Sequence, residues 1–198
     1  MTEAKTLLQL AGADLAPAKI RDAVLVFIDI QNEYRAGPIA VQGADPAIAN
    51  AARLLKAARD SGAPVIHVAH GGRPGGMFDR AGDRGQIVVQ LTPVAGEAVV
   101  EKGLPNAFAG TDLQARLTAT GRTNIVLAGF MTHMCVSSTA RAALDLGFRA
   151  TIDASACATR DLPDGRGGVI PAATLHEVAL VELSDRFAIV ARTSEALI

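Results

Sequence analysis

The run Asn124-Ile-Val-Leu-Ala-Gly-Phe-Met-Thr-His-Met-Cys-Val-Ser-Ser-Thr-Ala-Arg-Ala-Ala-Leu-Asp-Leu146 holds a strand, a turn and a helix in succession. Asn124 to Gly129 reads as a buried strand, Phe130 to Met134 turns, and Cys135 opens a helix that Gly147 stops. A cysteine at a helix start faces unpaired backbone N–H groups and the positive end of the helix dipole. That setting favours the thiolate, the nucleophilic form. The run therefore points to an enzyme with a cysteine nucleophile. The bland alternative is a small buried thiol without chemistry.

Outward from this run, strands and helices alternate. Ala23-Val-Leu-Val-Phe-Ile-Asp29 is a continuous apolar stretch of the kind buried on both faces of a parallel sheet. A polar loop spans Ile30 to Ala44, and Asp45-Pro46 then supplies an N-cap and a first-turn proline. Ile48, Ala51, Ala52, Leu55 and Ala58 line one helical face, and Gly62 ends it. Pro64 to His70 is the next strand. Gly71 to Gln86, rich in Gly, Arg and Asp, reads as a mobile loop. A third strand covers Ala98 to Lys102, and a helix starts at Thr111 and Asp112. Phe148 to Asp153, a helix from Pro171 to Leu183, and Phe187 to Ala191 complete the chain. This alternation predicts a three-layer α/β sandwich with a mainly parallel, roughly six-stranded sheet flanked by helices, Rossmann-like in topology.

Its 198 residues suit one domain, 1–198, and 49% hydrophobic content favours a packed core. With 19 basic residues against 20 acidic ones, nothing points to nucleic acid. The longest strongly apolar run, Ala23 to Ile28, is far too short for a membrane span. No secretory leader is evident at the start, and Cys135 and Cys157 fit free thiols in a reducing cytoplasm.

In open α/β sheets, ligands bind at the carboxyl ends of strands where the winding reverses. Asp29 closes the first predicted strand, Lys102 the third, and Cys135 follows the fourth. If the first and fourth strands are neighbours, Asp29 and Cys135 face one crevice. Asp29 follows six apolar residues, where a carboxylate needs a partner against desolvation. Lys102 is one such partner, and equally reads as a solvated lysine beside Glu101.

Three stretches carry a resemblance: Leu25-Val-Phe-Ile-Asp-Ile-Gln-Asn32, Glu101-Lys-Gly-Leu-Pro-Asn-Ala-Phe108 and Gly129-Phe-Met-Thr-His-Met-Cys-Val-Ser-Ser-Thr-Ala-Arg141. In them the chain resembles the isochorismatase-like cysteine hydrolases over nearly its whole length. The resemblance implies a catalytic triad of Asp29, Lys102 and Cys135. It also implies a cis peptide at Phe130–Met131 and an oxyanion hole made by the Met131 and Cys135 backbone N–H groups. Isochorismatases proper hydrolyse a vinyl ether and lack the cysteine. Members that keep it resemble amidohydrolases acting on small amides, carbamoyl compounds or lactams. Cys135 therefore implies the amidohydrolase branch, with a small-molecule amide substrate and no cofactor. The family also implies a homo-oligomer, dimer or tetramer. A non-catalytic thiol sensor or scaffold on the same fold is the competing class.

Gln31, Tyr34, Phe108 and His133 are candidates for substrate contact. Core packing is the alternative for Tyr34 and Phe108, and fixing the turn is the alternative for His133. His67 and His70 invite a metal reading, but three positions apart in a strand they point to opposite faces. The Asp-x-His pair of metal-binding nicotinamidases does not occur in the chain. Gly71-Gly-Arg-Pro-Gly-Gly76 lacks the Walker spacing of a phosphate loop and reads as a lid or a subunit contact. Cys157 is expected in the loop after Asp153 as a packed thiol, and His176 as structural or at an interface.

Overall fold

The computed structural model describes residues 3–198. In chain order the elements are α1 (Leu7–Leu10), β1 (Val24–Ile28), α2 (Glu33–Ala36), α3 (Ala44–Ser61), β2 (Val65–His70) and β3 (Ala98–Lys102). There follow α4 (Leu113–Ala119), β4 (Asn124–Phe130), α5 (Ser137–Asp145), β5 (Arg149–Ala158), β6 (Leu162–Pro163), β7 (Val169–Ile170), α6 (Ala172–Arg186) and β8 (Ala188–Ala191).

The main sheet has six strands in the order β3-β2-β1-β4-β5-β8. Every pairing in it is parallel. The chain lays β1, β2 and β3 outward in one direction, then returns to place β4 on the other side of β1. The winding therefore reverses between β1 and β4, and a crevice opens outside their carboxyl ends. β6 and β7 form a small separate antiparallel pair.

Strand periodicity divides the core. Leu25 and Phe27 of β1 pack on one face with Ile48, Leu54 and Leu55 of α3. Val24, Val26 and Ile28 pack on the other with Leu113 and Leu117 of α4, Ala140 and Ala143 of α5, and Leu180 and Leu183 of α6. Alternate residues of an unbroken apolar strand thus feed two cores, and helices cover both faces. This is the expected three-layer sandwich.

Several local expectations are corrected. Asp45 is not the N-cap of α3: Gly43, left-handed at φ 74°, stands there, and Asp45 lies in the first turn. The loop from Ile30 to Ala44 contains the short helix α2. The helix near the carboxyl terminus runs on to Arg186. β5 continues to Ala158, because an irregularity between Leu127 and Gly129 of β4 restores pairing, with Gly129 opposite Cys157 and Phe130 opposite Ala158. Cys157 accordingly lies in a strand, not in a loop. Thr132–Val136 forms a π-helical turn, and α5 starts only at Ser137, so Cys135 sits inside that turn and does not open the α-helix.

Gly129 is dictated by close approach. A Cβ there would lie 2.0 Å from the Ile28 carbonyl oxygen, and the residue has φ 141°. Only glycine tolerates both conditions. β4 thereby comes close to β1 just before the turn that carries Cys135.

Candidate active site

Each predicted side chain arrives at the rim on its own strand. Lys102 is the last residue of β3, His70 the last of β2, and Asp29 follows β1. Asp29 is left-handed at φ 53°, a conformation that asparagine and aspartate tolerate better than other side chains. Its N–H donates to the Val68 carbonyl at 2.9 Å, and its own carbonyl accepts from Gln31 N–H at 2.8 Å. Cys135 arrives from the turn after β4. The Phe130–Met131 peptide that enters this turn is cis.

Lys102 Nζ lies 2.6 Å from Asp29 Oδ2 and 3.4 Å from Cys135 Sγ. It also meets His70 Nδ1 and donates to the Leu104 carbonyl, each at 3.0 Å. Asp29 is fully buried, and Lys102 and Cys135 are each 2% exposed. The solvated-lysine reading is therefore excluded by position. A buried carboxylate and a buried ammonium are tolerable together, because each offsets the other's desolvation.

The electrostatics correct the expectation of a resting thiolate. Burial lifts the Asp29 carboxyl to about 6, against the pull of the Lys102 charge. Burial, reinforced by the Asp29 charge and opposed by Lys102, pushes the Cys135 thiol up to about 12. At neutral pH the carboxylate is ionised and the thiol keeps its proton. The pair is a base beside an acid, with the ammonium touching both.

The substrate-contact candidates divide. Gln31 is a clamp: its amide donates to the carbonyls of His70 at 3.0 Å and Gly85 at 2.7 Å, and accepts from His70 N–H at 2.8 Å. Its side-chain amide is thus engaged in structural hydrogen bonds. Phe108 stacks on Phe148, just before β5, with ring centres 6.0 Å apart. Tyr34 does lie beside Asp29 and Cys135. Burial and the charges of Asp29 and Cys135 raise its phenol, and its ring packs on Phe78 and Phe130. His133 is half-buried, with Nδ1 2.5 Å from Thr159 Oγ1 and a buried Nε2 that has no partner among the described residues. His176 Nδ1 meets Thr132 Oγ1 at 2.8 Å, inside the turn that carries Cys135.

Three residues here were not singled out from sequence for these roles. His70 is bound to Lys102. Phe78, left-handed at φ 58°, comes in from the 71–86 loop to pack at a tilt against His70 and Tyr34, with ring centres 4.8 and 5.2 Å apart. Phe78 is held there by its N–H, which donates at 3.3 Å to the buried Glu33 carboxylate, itself paired with Arg84. The third is Arg160, which follows Thr159 at the end of β5. Its charge acts on Tyr34 and His133, and among the described residues it has no ion pair. No local sequence signal marks any of the three, since each role depends on which strands become neighbours.

His67 and His70 have separate partners, as their opposite facing requires. His67 Nε2 meets Glu97 at 2.8 Å. Among the described residues, no group of three or more His, Cys, Asp or Glu is arranged to hold a metal. The sulfur has little direct opening. Cavities of about 750 and 350 Å³ lie near α3 and near His176, lined by residues other than Asp29, Lys102 and Cys135.

An isochorismatase domain model matches residues 23–195. The chain belongs to the isochorismatase family. A crystal structure of an isochorismatase from Pseudomonas putida superposes on this family member with a TM-score of 0.95 at 46% identity, covering 99% of this chain and 100% of that one. A secreted isochorismatase effector of Verticillium dahliae is 38% identical, over 89% of this chain and 90% of its own. Streptothricin hydrolase of Streptomyces noursei is 34% identical over 86% of this isochorismatase-family chain and 62% of its own length. Maleamate amidohydrolase of Pseudomonas putida is 32% identical over 67% and 70%. The isochorismatase-family chain is thus a hydrolase with amidohydrolases among its relatives.

Proposed function

We propose that the chain is a metal-independent cysteine amidohydrolase that cleaves the C–N bond of a small amide, carbamoyl compound or lactam through a thioester. The observation that carries this reading is the contact of Lys102 Nζ with both Asp29 and Cys135 in a buried cluster.

In the proposed mechanism Asp29 takes the Cys135 proton as the sulfur attacks the carbonyl carbon. Lys102 keeps Asp29 ionised and lowers the cost of the thiolate that forms beside it. The Met131 and Cys135 backbone N–H groups are assigned to the oxyanion, where one donor is worth about 3–4 kcal/mol. Asp29 returns the proton to the leaving nitrogen, and the C–N bond breaks to leave the acyl group on sulfur. Water then attacks the thioester, Asp29 takes its proton, and the acid departs as the thiol is restored. None of these steps calls for a metal ion.

Arg160 adds a preference within the class. An unpaired guanidinium beside His133 and Tyr34 suits a substrate carboxylate, which it can hold by two parallel hydrogen bonds. Amides that also carry an acid group are therefore favoured. Phe78 packs against His70 and Tyr34, which suits the 71–86 loop to the role of a lid.

Vinyl-ether hydrolysis is the second reading, favoured by the relatives named as isochorismatases. An ammonia-release screen over small acid amides, ureas and lactams separates the two. Release of ammonia that disappears in Cys135→Ala supports the amidase. Vinyl-ether hydrolysis that survives Cys135→Ala supports the alternative.

We also expect a homo-oligomer, dimer or tetramer, and exposed Val178 and Val181 on α6 are compatible with a subunit contact. Sedimentation equilibrium tests it. The cytoplasmic location rests on the free thiols Cys135 and Cys157 and stands against one secreted relative. Fractionation of the source cells decides between them. No helix among the described residues is long and apolar enough to cross a membrane.

A further inference from the structure

Lys102 has an anchor outside the catalytic three. Strand register pairs His70 of β2 directly with Lys102 of β3. An ammonium has three hydrogens to donate and no acceptor. The Leu104 carbonyl and His70 Nδ1, each at 3.0 Å, and Cys135 Sγ at 3.4 Å are placed to receive them, while Asp29 Oδ2 at 2.6 Å pairs with the ammonium by charge. Because lysine only donates here, the contact requires a bare Nδ1 and hence a neutral ring carrying its hydrogen on Nε2. Burial, and then the Lys102 charge, hold this ring down to about 4, so it stays neutral over the working range.

His70 is itself fixed at three points. Gln31 accepts from its N–H and donates to its carbonyl, and the Phe78 ring lies 4.8 Å from its ring. The titratable groups facing the cluster are Asp29 after β1, Lys102 on β3, Cys135 after β4 and Tyr34 on α2. Among the described residues, only the lysine touches His70 by hydrogen bond through the ring.

We propose that His70 is a positioning residue: its neutral Nδ1 accepts one hydrogen of Lys102 and so holds the ammonium where the Asp29 carboxylate and the Cys135 sulfur both meet it. The proposal deepens the amidohydrolase reading and rests on it only where turnover is measured. A lysine side chain has several free torsions, and an ammonium held by Asp29 and Leu104 alone would wander from the sulfur.

The test is the pH profile of Cys135 alkylation by iodoacetamide in the full chain, with Cys157→Ser as background so that one thiol reports. His70→Leu removes the acceptor. His70→Asn retains one, because Oδ1 stands at the position of Nδ1. The midpoint is read, not the rate, since altered access scales the rate equally at every pH. The midpoint read is the inflection near 6, where Asp29 ionises and can take the thiol proton; His70→Leu is expected to move it up by about one pH unit, while His70→Asn stays within about 0.3 unit of the parent. On an amide found by the ammonia screen, His70→Leu should lower kcat about tenfold with KM held within about twofold. An unchanged midpoint in His70→Leu, a downward shift, or identical behaviour of the two variants overturns the proposal.

A second measurement needs no variant. The ¹⁵N shifts of His70 in the parent protein at neutral pH should show Nδ1 bare and Nε2 protonated; a proton on Nδ1 overturns the proposal. Failure of the amidohydrolase reading shows differently, as an absence of turnover in the parent while alkylation and ¹⁵N results stand.

Discussion

Lys102 Nζ stands 2.6 Å from Asp29 Oδ2 with both side chains shut away from water. The two residues lie 73 positions apart (102 − 29) and meet only because β3 and β1 flank β2 in one sheet. Neither charge is tolerable there without the other.

Lys102→Met should therefore cost stability as well as activity. Removing one partner of a buried pair typically destabilises by about 3–5 kcal/mol, because the other charge is left uncompensated. Without the lysine, the Asp29 carboxyl rises further and protonates readily, so the loss should be smaller at pH 5 than at pH 8. Urea unfolding of parent and variant at both pH values checks this. An equal loss at both would show that the pair is not what holds Asp29 ionised.

The rate should fall on the acid side of about 6. Asp29 acts in its ionised form, and burial has raised its carboxyl to about 6 against the lysine's pull. Protonation as pH drops through that value removes the base, giving about a tenfold fall in kcat/KM per pH unit below it. A profile flat to pH 4.5 would deny Asp29 that role.

Gly129→Ala should destabilise sharply. The added methyl meets the Ile28 carbonyl at 2.0 Å in a backbone conformation that alanine resists. Overpacking and strain cost about 1–3 kcal/mol each. Thermal and urea melts measure it, and a loss under about 1 kcal/mol would mean that β1 and β4 separate easily there.

Arg160→Gln should separate substrates by charge. For amides bearing a carboxylate, KM should rise about tenfold or more, the worth of a charged hydrogen bond, with kcat largely kept. Neutral amides should be little affected. Equal effects on both sets would remove Arg160 from substrate recognition.

The layers were legible because they rest on local pattern, whereas a triad of Asp29, Lys102 and Cys135 was implied by the family resemblance. The unbroken apolar run of β1 forecast a strand buried on both faces, and strand-end placement of Asp29 and Lys102 put both at one rim. The turn at Thr132–Val136 was not legible, since no glycine or proline marks it and its residues suit an ordinary helix start. The same error carried over to the thiol: a dipole-stabilised thiolate was expected, whereas burial and the Asp29 charge dominate at Cys135. The extension of β5 depends on an irregularity in its neighbour, which only pairing reveals. Gln31 and His70 lie far apart in the chain, and their mutual clamp follows from tertiary placement.

The most direct test of the central claim is mass spectrometry of the enzyme quenched in acid during turnover of an amide from the ammonia screen. The account predicts an acyl adduct on the peptide carrying Cys135, absent from the Cys135→Ala protein, which should fold normally and release no ammonia. Full ammonia release by Cys135→Ala, with no adduct on the parent, would contradict it.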